Sequence, residues 1–559
     1  MKQKLTQFIV GSLLVTVSPF VSALETDDSA ATSGSSNAPS PEAPTSSSSS
    51  ASTTASTAAP GNIRFDITRF DVTGNTLLSP TLVEKVLAPF VGRNKDFADV
   101  QKALEALEEA FHQRGYNVVQ VELPEQELNS GAVKLRVVQT RIGKIIIEGN
   151  RQFSDANIAD SLPGLKVGQT PNIAQVSASL KVANENPAKK VNLQLESGDK
   201  DEEVNAILKV SEDRVWKGGL ALDNTGTGAT GKTHLGLSLQ NANMFGLDHV
   251  ASLQYTTTLE KPSQVKVYGV GYHIPLYASA NSIDLFGSYS NVDSGSVSAG
   301  LVNLLVSGKG KVFGARFNHN LGRSKTYEPR LIYGFDYKAF ENGVLFSGTQ
   351  LGHDVTVHPL SVAYTGAWTL TNGEANFSLN LARNIPGGSN GSTADFNAVR
   401  IGASPNYTVL RYGANYSRAL ARDWQLRLGL SGQYTGDALI PGEQFGAGGA
   451  SSVRGFSERE IANDYGAQIN AEVYTPNLCG AIKSVPSQCR VLAFYDGAHL
   501  NRNKALAGEV TSSSLSSIGL GFRMFVDRYL NVQLDYGHVL SGASGAEKNR
   551  LHFKLNFSY

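Results

Sequence analysis

The octapeptide Gly226-Thr-Gly-Ala-Thr-Gly231-Lys232-Thr233 satisfies GxxxxGK[ST] at every position, and its first six residues also satisfy GxGxxG. In the right setting this spacing cradles phosphate. The glycines let backbone N–H groups approach the anion, the lysine adds charge, and the hydroxyl can reach Mg²⁺. A second pattern, Gly387-Gly-Ser389-Asn-Gly391, fits the GxSxG of a serine nucleophile. Cys479 and Cys489, with nine residues between them, are the two cysteines of the chain. They suit a disulfide or two free thiols, whereas two ligands alone do not complete a tetrahedral zinc shell. HExxH is absent.

Each of these chemistries depends on the elements that carry it. A phosphate cradle needs a strand before it and a helix after it. Leu220 to Leu222 supply the strand, but Leu235, Leu237 and Leu239 then alternate with Gly and Ser, which is a second strand. Gly226, Gly231, Lys232 and Thr233 therefore read as a hairpin loop with Lys232 a surface charge, and no nucleotide is expected. Ser389 follows Pro386 in a loop that runs into a polar stretch, whereas a nucleophile elbow needs a strand-to-helix turn. The reading is of no enzyme, with no catalytic residues, no metal and no cofactor.

Lysine plus arginine equals aspartate plus glutamate, 49 each in 559 residues, so no net field draws the chain to nucleic acid. Residues 1–23 read as a secretory signal: Lys2 and Lys4, an apolar run from Phe8 to Val17, and Val21-Ser22-Ala23 at the cleavage point. That run is too short to span a membrane. Export suits a disulfide between the two cysteines. Residues 24–61 are almost wholly Ser, Ala, Thr and Pro and read as a disordered linker.

Order begins near Asn62 with an internal repeat. Phe70-Asp-Val72-Thr-Gly74-Asn75, followed by Ser79, returns 75 residues later as Ile145-Ile-Ile147-Glu-Gly149-Asn150, followed by Ser154. Each copy has an alternating strand, a Gly-Asn turn and a serine placed to cap a helix. Val100, Leu104, Leu107 and Phe111 share one helix face, and strands follow at 117–123 and 132–139. In the second copy, helices near 154–161 and 172–182 precede strands at 189–195 and 204–211. The order β-α-α-β-β thus occurs twice, over 62–140 and 141–212.

From residue 213 onward the texture changes. Segments such as Ala375, Phe377, Leu379, Leu381 and Leu551, Phe553, Leu555, Phe557, Tyr559 alternate apolar with polar residues, with no sustained helical period. A soluble sandwich would alternate too. Strands of about ten residues, long polar loops alternating with short turns, and a final strand ending on an aromatic favour a transmembrane barrel over 213–559. Phe557 and Tyr559 would form its C-terminal signal. Closure would then satisfy every backbone donor and acceptor, as lipid demands.

Signal, two modules and barrel together resemble the two-partner secretion transporters, the TpsB proteins of the ShlB/FhaC/HecB group, relatives of BamA. The resemblance runs from about Asn62 to Tyr559. It implies α+β POTRA modules in the periplasm and an all-β barrel of 16 antiparallel strands in the bacterial outer membrane; strand length alone gives roughly 14 to 18. Val453-Arg454-Gly455-Phe456, in the glycine-rich segment 436–463, matches the family's VRG[YF] loop. Phe494-Tyr-Asp496-Gly497-Ala498 resembles its F-x-D-x-G, although alanine occupies the glycine position. By resemblance the loop folds into the lumen and Arg454 meets Asp496 of the wall, a pair whose fork geometry suits a confined site. Counting back from the C-terminus, segments near 549–559, 529–540, 515–526, 490–499, 465–475 and 424–434 become strands 16 to 11. The VRGF loop then falls outside, and the cysteines on the periplasmic side.

The resemblance implies a transporter that recognises a secreted exoprotein by its N-terminal secretion domain and exports it unfolded. The resemblance also implies activation of a haemolysin, an adhesin or a contact-dependent toxin as the cargo. Leu104, Phe111, Val119 and Val121 are the candidate partner-binding surface, with β-augmentation the expected mode, the alternative being that most apolar residues on those faces are module core. Outer-membrane lipid and, during biogenesis, the barrel assembly machinery are further expected partners. The alternative is an assembly factor that inserts other barrels, as BamA does; relatives of that kind usually carry more modules.

Overall fold

The computed structural model describes residues 64–559, apart from 128–130, 229, 292–294, 300–301, 307–308, 323, 325, 342–344, 347–348, 351–352, 481–485 and 543–546. The signal and linker lie outside the described residues.

The repeat folds as two copies of one module. In the first, Arg69–Thr73 pairs in parallel with Ala132–Gln139, which pairs antiparallel with Val119–Glu122. Helices Pro80–Leu87 and Phe97–His112 cover one face. In the second, Arg141–Glu148, Glu203–Glu212 and Lys189–Ser197 repeat that order, with helices Asp155–Asp160 and Ile173–Ala183. The first module adds a short pair, Phe65–Ile67 with Gly92–Lys95.

The duplicated Gly-Asn turn does the same work twice. Gly74 and Gly149 have φ of +80° and +88°, a region that favours glycine. A β-carbon on either would lie 2.4 Å from the Val137 carbonyl oxygen and 2.3 Å from that of Val210, respectively. Asn75 and Asn150 donate to the carbonyls of Leu78 and Phe153 at 2.8 and 2.9 Å. The serines differ, however. The Ser154 side chain accepts from the Asn157 N–H, whereas the Ser79 side chain, also at an N-cap, makes no bond to the helix backbone. Its hydroxyl lies 3.3 Å from that of Thr81, and Pro80 sets the helix start instead.

Sixteen strand positions close into an antiparallel barrel from Trp216–Asp223 to Asn549–Ser558, and the first and last pair. One position is interrupted at His358: Val355–Val357 and Pro359–Leu370 both pair with Tyr327–Phe340. The last six strands are Gln425–Tyr434, Tyr465–Tyr474, Ser487–Asn501, Ser512–Val526, Leu530–Ser541 and Asn549–Ser558. Leu237, Leu239, Leu379, Leu381, Leu428, Leu430 and Leu551 are exposed on the outer face. Asp284, Arg316, Asp496, Asp535 and His552 are buried on the inner face. A continuous exposed apolar band suits lipid, not water. No described helix is long and apolar enough to cross a membrane.

Helix Thr393–Val399 interrupts the all-strand texture expected after residue 213. Ser392 and Asp395 cap it reciprocally, and Phe396 anchors it, fully buried beside Val355 and Tyr407.

The second module is pinned to one end of the barrel. Lys189 pairs with Asp248 of a barrel turn, both side chains wholly buried. Tyr277 of the next turn at that end donates to the same carboxylate at 2.6 Å. Asn157 donates to the Gly246 carbonyl at 2.7 Å, and Arg528 pairs with Asp213 at 2.8 Å. The modules touch where Asn172 donates to the Arg114 carbonyl at 2.8 Å.

Candidate functional site

The connection between Gln425–Tyr434 and Tyr465–Tyr474 leaves the barrel end opposite the modules and folds back inside. A short hairpin, Phe445–Ala447 with Ile461–Asn463, carries it inward. Gly448 and Gly449 (φ +109° and +107°) turn the chain, and Gly455 (φ +95°) bends the tip.

The Arg454 side chain is buried at that tip. Its Nε and Nη2 donate to the two Asp496 oxygens at 2.7 and 2.8 Å, and its backbone N–H to the same carboxylate at 3.1 Å. Nη1 donates to Glu472 at 2.7 Å and to Asp535 at 3.3 Å. The Phe494 ring lies under the guanidinium, 3.6 Å from its centroid. Asn470 adds a donor to Asp496 at 2.8 Å, Tyr474 one to Glu472 at 2.7 Å, and Arg523 one to Asp535 at 2.9 Å. Gly455 N–H donates to His552 Nε2 at 3.0 Å, so that imidazole acts as an acceptor here. A guanidinium taken out of water is tolerable only when so fully paired.

Apolar contacts flank the charges. Val453 and Phe456 pack with Phe445, Ala447, Ala498, Leu500 and Leu515. Ala498, at the expected glycine position, faces inward among them, so its methyl is accommodated. Gly497 requires correction as part of the wall motif. Asp496 and Ala498 alternate with it on the strand and face the loop, so Gly497 faces the other way, where a β-carbon would meet the Tyr495 ring at 3.4 to 3.5 Å.

The candidate partner-binding residues also require correction. Phe111, Val119 and Val121 are buried in the first module's core, and Leu104 is half-buried against it. The helix face with apolar period is the one turned to the sheet. Each buried large side chain there contributes about 1.5–3 kcal/mol to folding rather than to a surface.

The other motifs are placed as follows. The octapeptide joins the first two barrel strands: His234 pairs with Asp223, and Gly226 N–H donates to the Lys232 carbonyl at 3.1 Å. A strand follows it, and the Thr233 N–H already faces the Glu260 carboxylate at 3.1 Å. Ser389 is exposed in a loop, and the helix beyond it starts at Thr393 with Ser392 as its cap, so the serine is not at a strand-to-helix elbow. Cys479 and Cys489 form a disulfide at the module end of the barrel. Tyr559 closes the final strand, exchanging backbone bonds with Gly218, and Arg214 stacks on its ring at 4.0 Å.

Sequence reasoning missed Glu472, Asp535 and His552. A parity signal existed. Glu472 shares the inward phase of Gln468 and Asn470, and a charge at that phase of an alternating strand faces the lumen.

Comparison with known proteins gives the same reading. A family model described as haemolysin secretion/activation protein ShlB/FhaC/HecB matches residues 203–524, and one for a ShlB-type POTRA domain matches 65–140. The heme/hemopexin transporter protein HuxB of Haemophilus influenzae is 22% identical over 452 residues, covering 78% of this chain and 76% of that protein. The outer membrane transporter CdiB of Dickeya dadantii is 22% identical, covering 85% and 83%. Among solved structures, CdiB from Escherichia coli superposes with a TM-score of 0.71 at 18% identity, covering 91% of this chain and 93% of that one. BamA from Haemophilus ducreyi, lacking POTRA domains 1-3, gives 0.51 at 14% identity, covering 89% and 100%. With more than half its length matched, and with POTRA modules leading into a closed 16-strand barrel, the chain belongs to the ShlB/FhaC/HecB family of outer-membrane two-partner secretion transporters.

Proposed function

We propose that this chain exports a partner exoprotein across the outer membrane. The two periplasmic modules recognise the partner's N-terminal secretion domain. The partner then crosses the barrel unfolded once the loop that carries Arg454 has left the lumen. The observation that carries this reading is the Arg454 site itself: a buried cation at a loop tip, held by three wall carboxylates, occupies the route a chain would take.

Recognition runs through the module sheets. Arg69–Thr73 and Val119–Glu122 are the outer strands of the first sheet. Such edges offer backbone donors and acceptors to an extended segment. Outer-membrane lipid covers the apolar band, and the barrel assembly machinery inserts the chain. Activation of the cargo as a haemolysin, adhesin or toxin belongs to the same reading.

The experiment is a secretion assay in cells that carry the partner. Deleting the first module should trap the partner in the periplasm while the barrel stays inserted. Normal export would overturn the recognition role. Loss of many unrelated barrels from the membrane would favour an assembly factor instead.

A further inference from the structure

Eleven residues before Arg454, the same loop carries a second buried charge. Glu443 closes a single turn, Pro441–Glu443, at the start of the inward path, and only 2% of it is exposed. Lys338 Nζ donates to one carboxylate oxygen at 2.8 Å, and Arg411 Nη2 to the other at 2.9 Å. Arg411 Nε also donates to Gln433 Oε1 at 2.9 Å. Gln433 in turn donates to the Glu443 carbonyl at 3.1 Å and to the Asp464 carbonyl at 2.9 Å, gripping both limbs of the loop.

The two cations belong to wall strands remote from the Arg454 site. Lys338 is on Tyr327–Phe340 and Arg411 on Thr408–Ala419, the seventh and tenth positions around the barrel. Arg454 is held by the twelfth, thirteenth and fifteenth, and Gly455 by the sixteenth. The loop is therefore strapped between two arcs of the wall, with opposite signs at its two fastenings. At one, the loop supplies the cation; at the other, it supplies the anion.

We infer that Glu443 is a second latch, separate from Arg454, that holds the outer limb of the loop against the wall and must be undone before the conduit opens. The inference rests on the proposed role of the loop as the closure. Each cation satisfies one of the two buried carboxylate oxygens, and because the two come from different strands they also fix the position of the acid around the barrel. Neither latch shares a side chain with the other, so their effects on the closed state should be independent.

The test uses the full chain in planar lipid bilayers, recording the ratio of long-lived high-conductance to closed states. Glu443→Gln keeps the shape and removes the charge, and Arg411→Gln removes one partner from the wall. Heat-modified mobility in detergent gels reports whether each variant has folded. Each should raise the open-to-closed ratio by about ten- to a hundredfold, the range for losing hydrogen bonds to a charged group. Combining Glu443→Gln with Arg454→Ala should multiply the separate effects. If Arg454→Ala opens the channel and folded Glu443→Gln and Arg411→Gln do not, the latch is refuted while the closure reading stands. If none of the three opens it, the closure reading falls and the latch with it. Should one of the two latch variants fail to insert, the other decides.

Discussion

Gly455 and Gly537 meet backbone to backbone: a β-carbon on Gly537 would lie 2.7 Å from the Gly455 nitrogen. The wall strand is bare at the one point where the loop tip crosses it, and Gly455 holds a positive φ there. Gly537→Val should therefore push the tip, including the Arg454 backbone, off the wall without removing any charged group. The expected outcome is a folded barrel with raised basal conductance, and an unchanged trace would show that the contact does not hold the tip.

The Arg454 site separates charge from geometry. Arg454→Lys keeps the cation but cannot make the paired bonds to Asp496 together with the bond to Glu472. Basal conductance in planar lipid bilayers should rise nearly as far as with Arg454→Ala. A lysine variant that stays closed like the unaltered protein would reduce the site to simple charge neutralisation.

At the module junction, Lys189→Met leaves Asp248 buried and without its cation. Breaking such a pair from one side costs about 3–5 kcal/mol, whereas replacing both partners costs much less. Lys189→Met should loosen the second module, read as faster proteolytic cutting around Asp213, and Lys189→Met with Asp248→Asn should restore much of the protection. Equal cutting of single and double variants would argue against the pair as the fastening.

Lys232→Ala, which destroys the GxxxxGK[ST] pattern, should leave export and conductance unchanged. The side chain is exposed in a hairpin that is followed by a strand. A substantial loss of export would reopen the phosphate-binding reading of that loop.

What could be read from the residues divides by distance along the chain. The Gly74 and Gly149 turns were legible because a positive φ and an asparagine side-chain bond are local demands, repeated at a fixed spacing. The last barrel strands were legible because a period of two survives in any alternating segment. Helix Thr393–Val399 is too short for its period to show, although Ser392 and Asp395 carried its capping signal. Periodicity also marked the Phe111 face as apolar without telling inside from outside. The pairing of Arg454 with Asp496 came only through family resemblance. Glu472 and Asp535 meet Arg454, and Glu443 meets Lys338 and Arg411, across segments far apart in the chain, which no local spacing encodes.

The three carboxylates around Arg454 have a consequence for any state in which the loop has left. Of the charged groups joined there, Arg454 and Arg523 oppose Glu472, Asp496 and Asp535; once Arg454 withdraws, Arg523 alone remains. Opening therefore deepens the negative charge of the lumen at that depth as well as changing its width. A basic side chain on a passing polypeptide would find the seat that Arg454 vacated, and would compete with the loop for it. Reclosure then depends on the sequence of whatever occupies the barrel, and a stretch poor in lysine and arginine would let the loop return soonest.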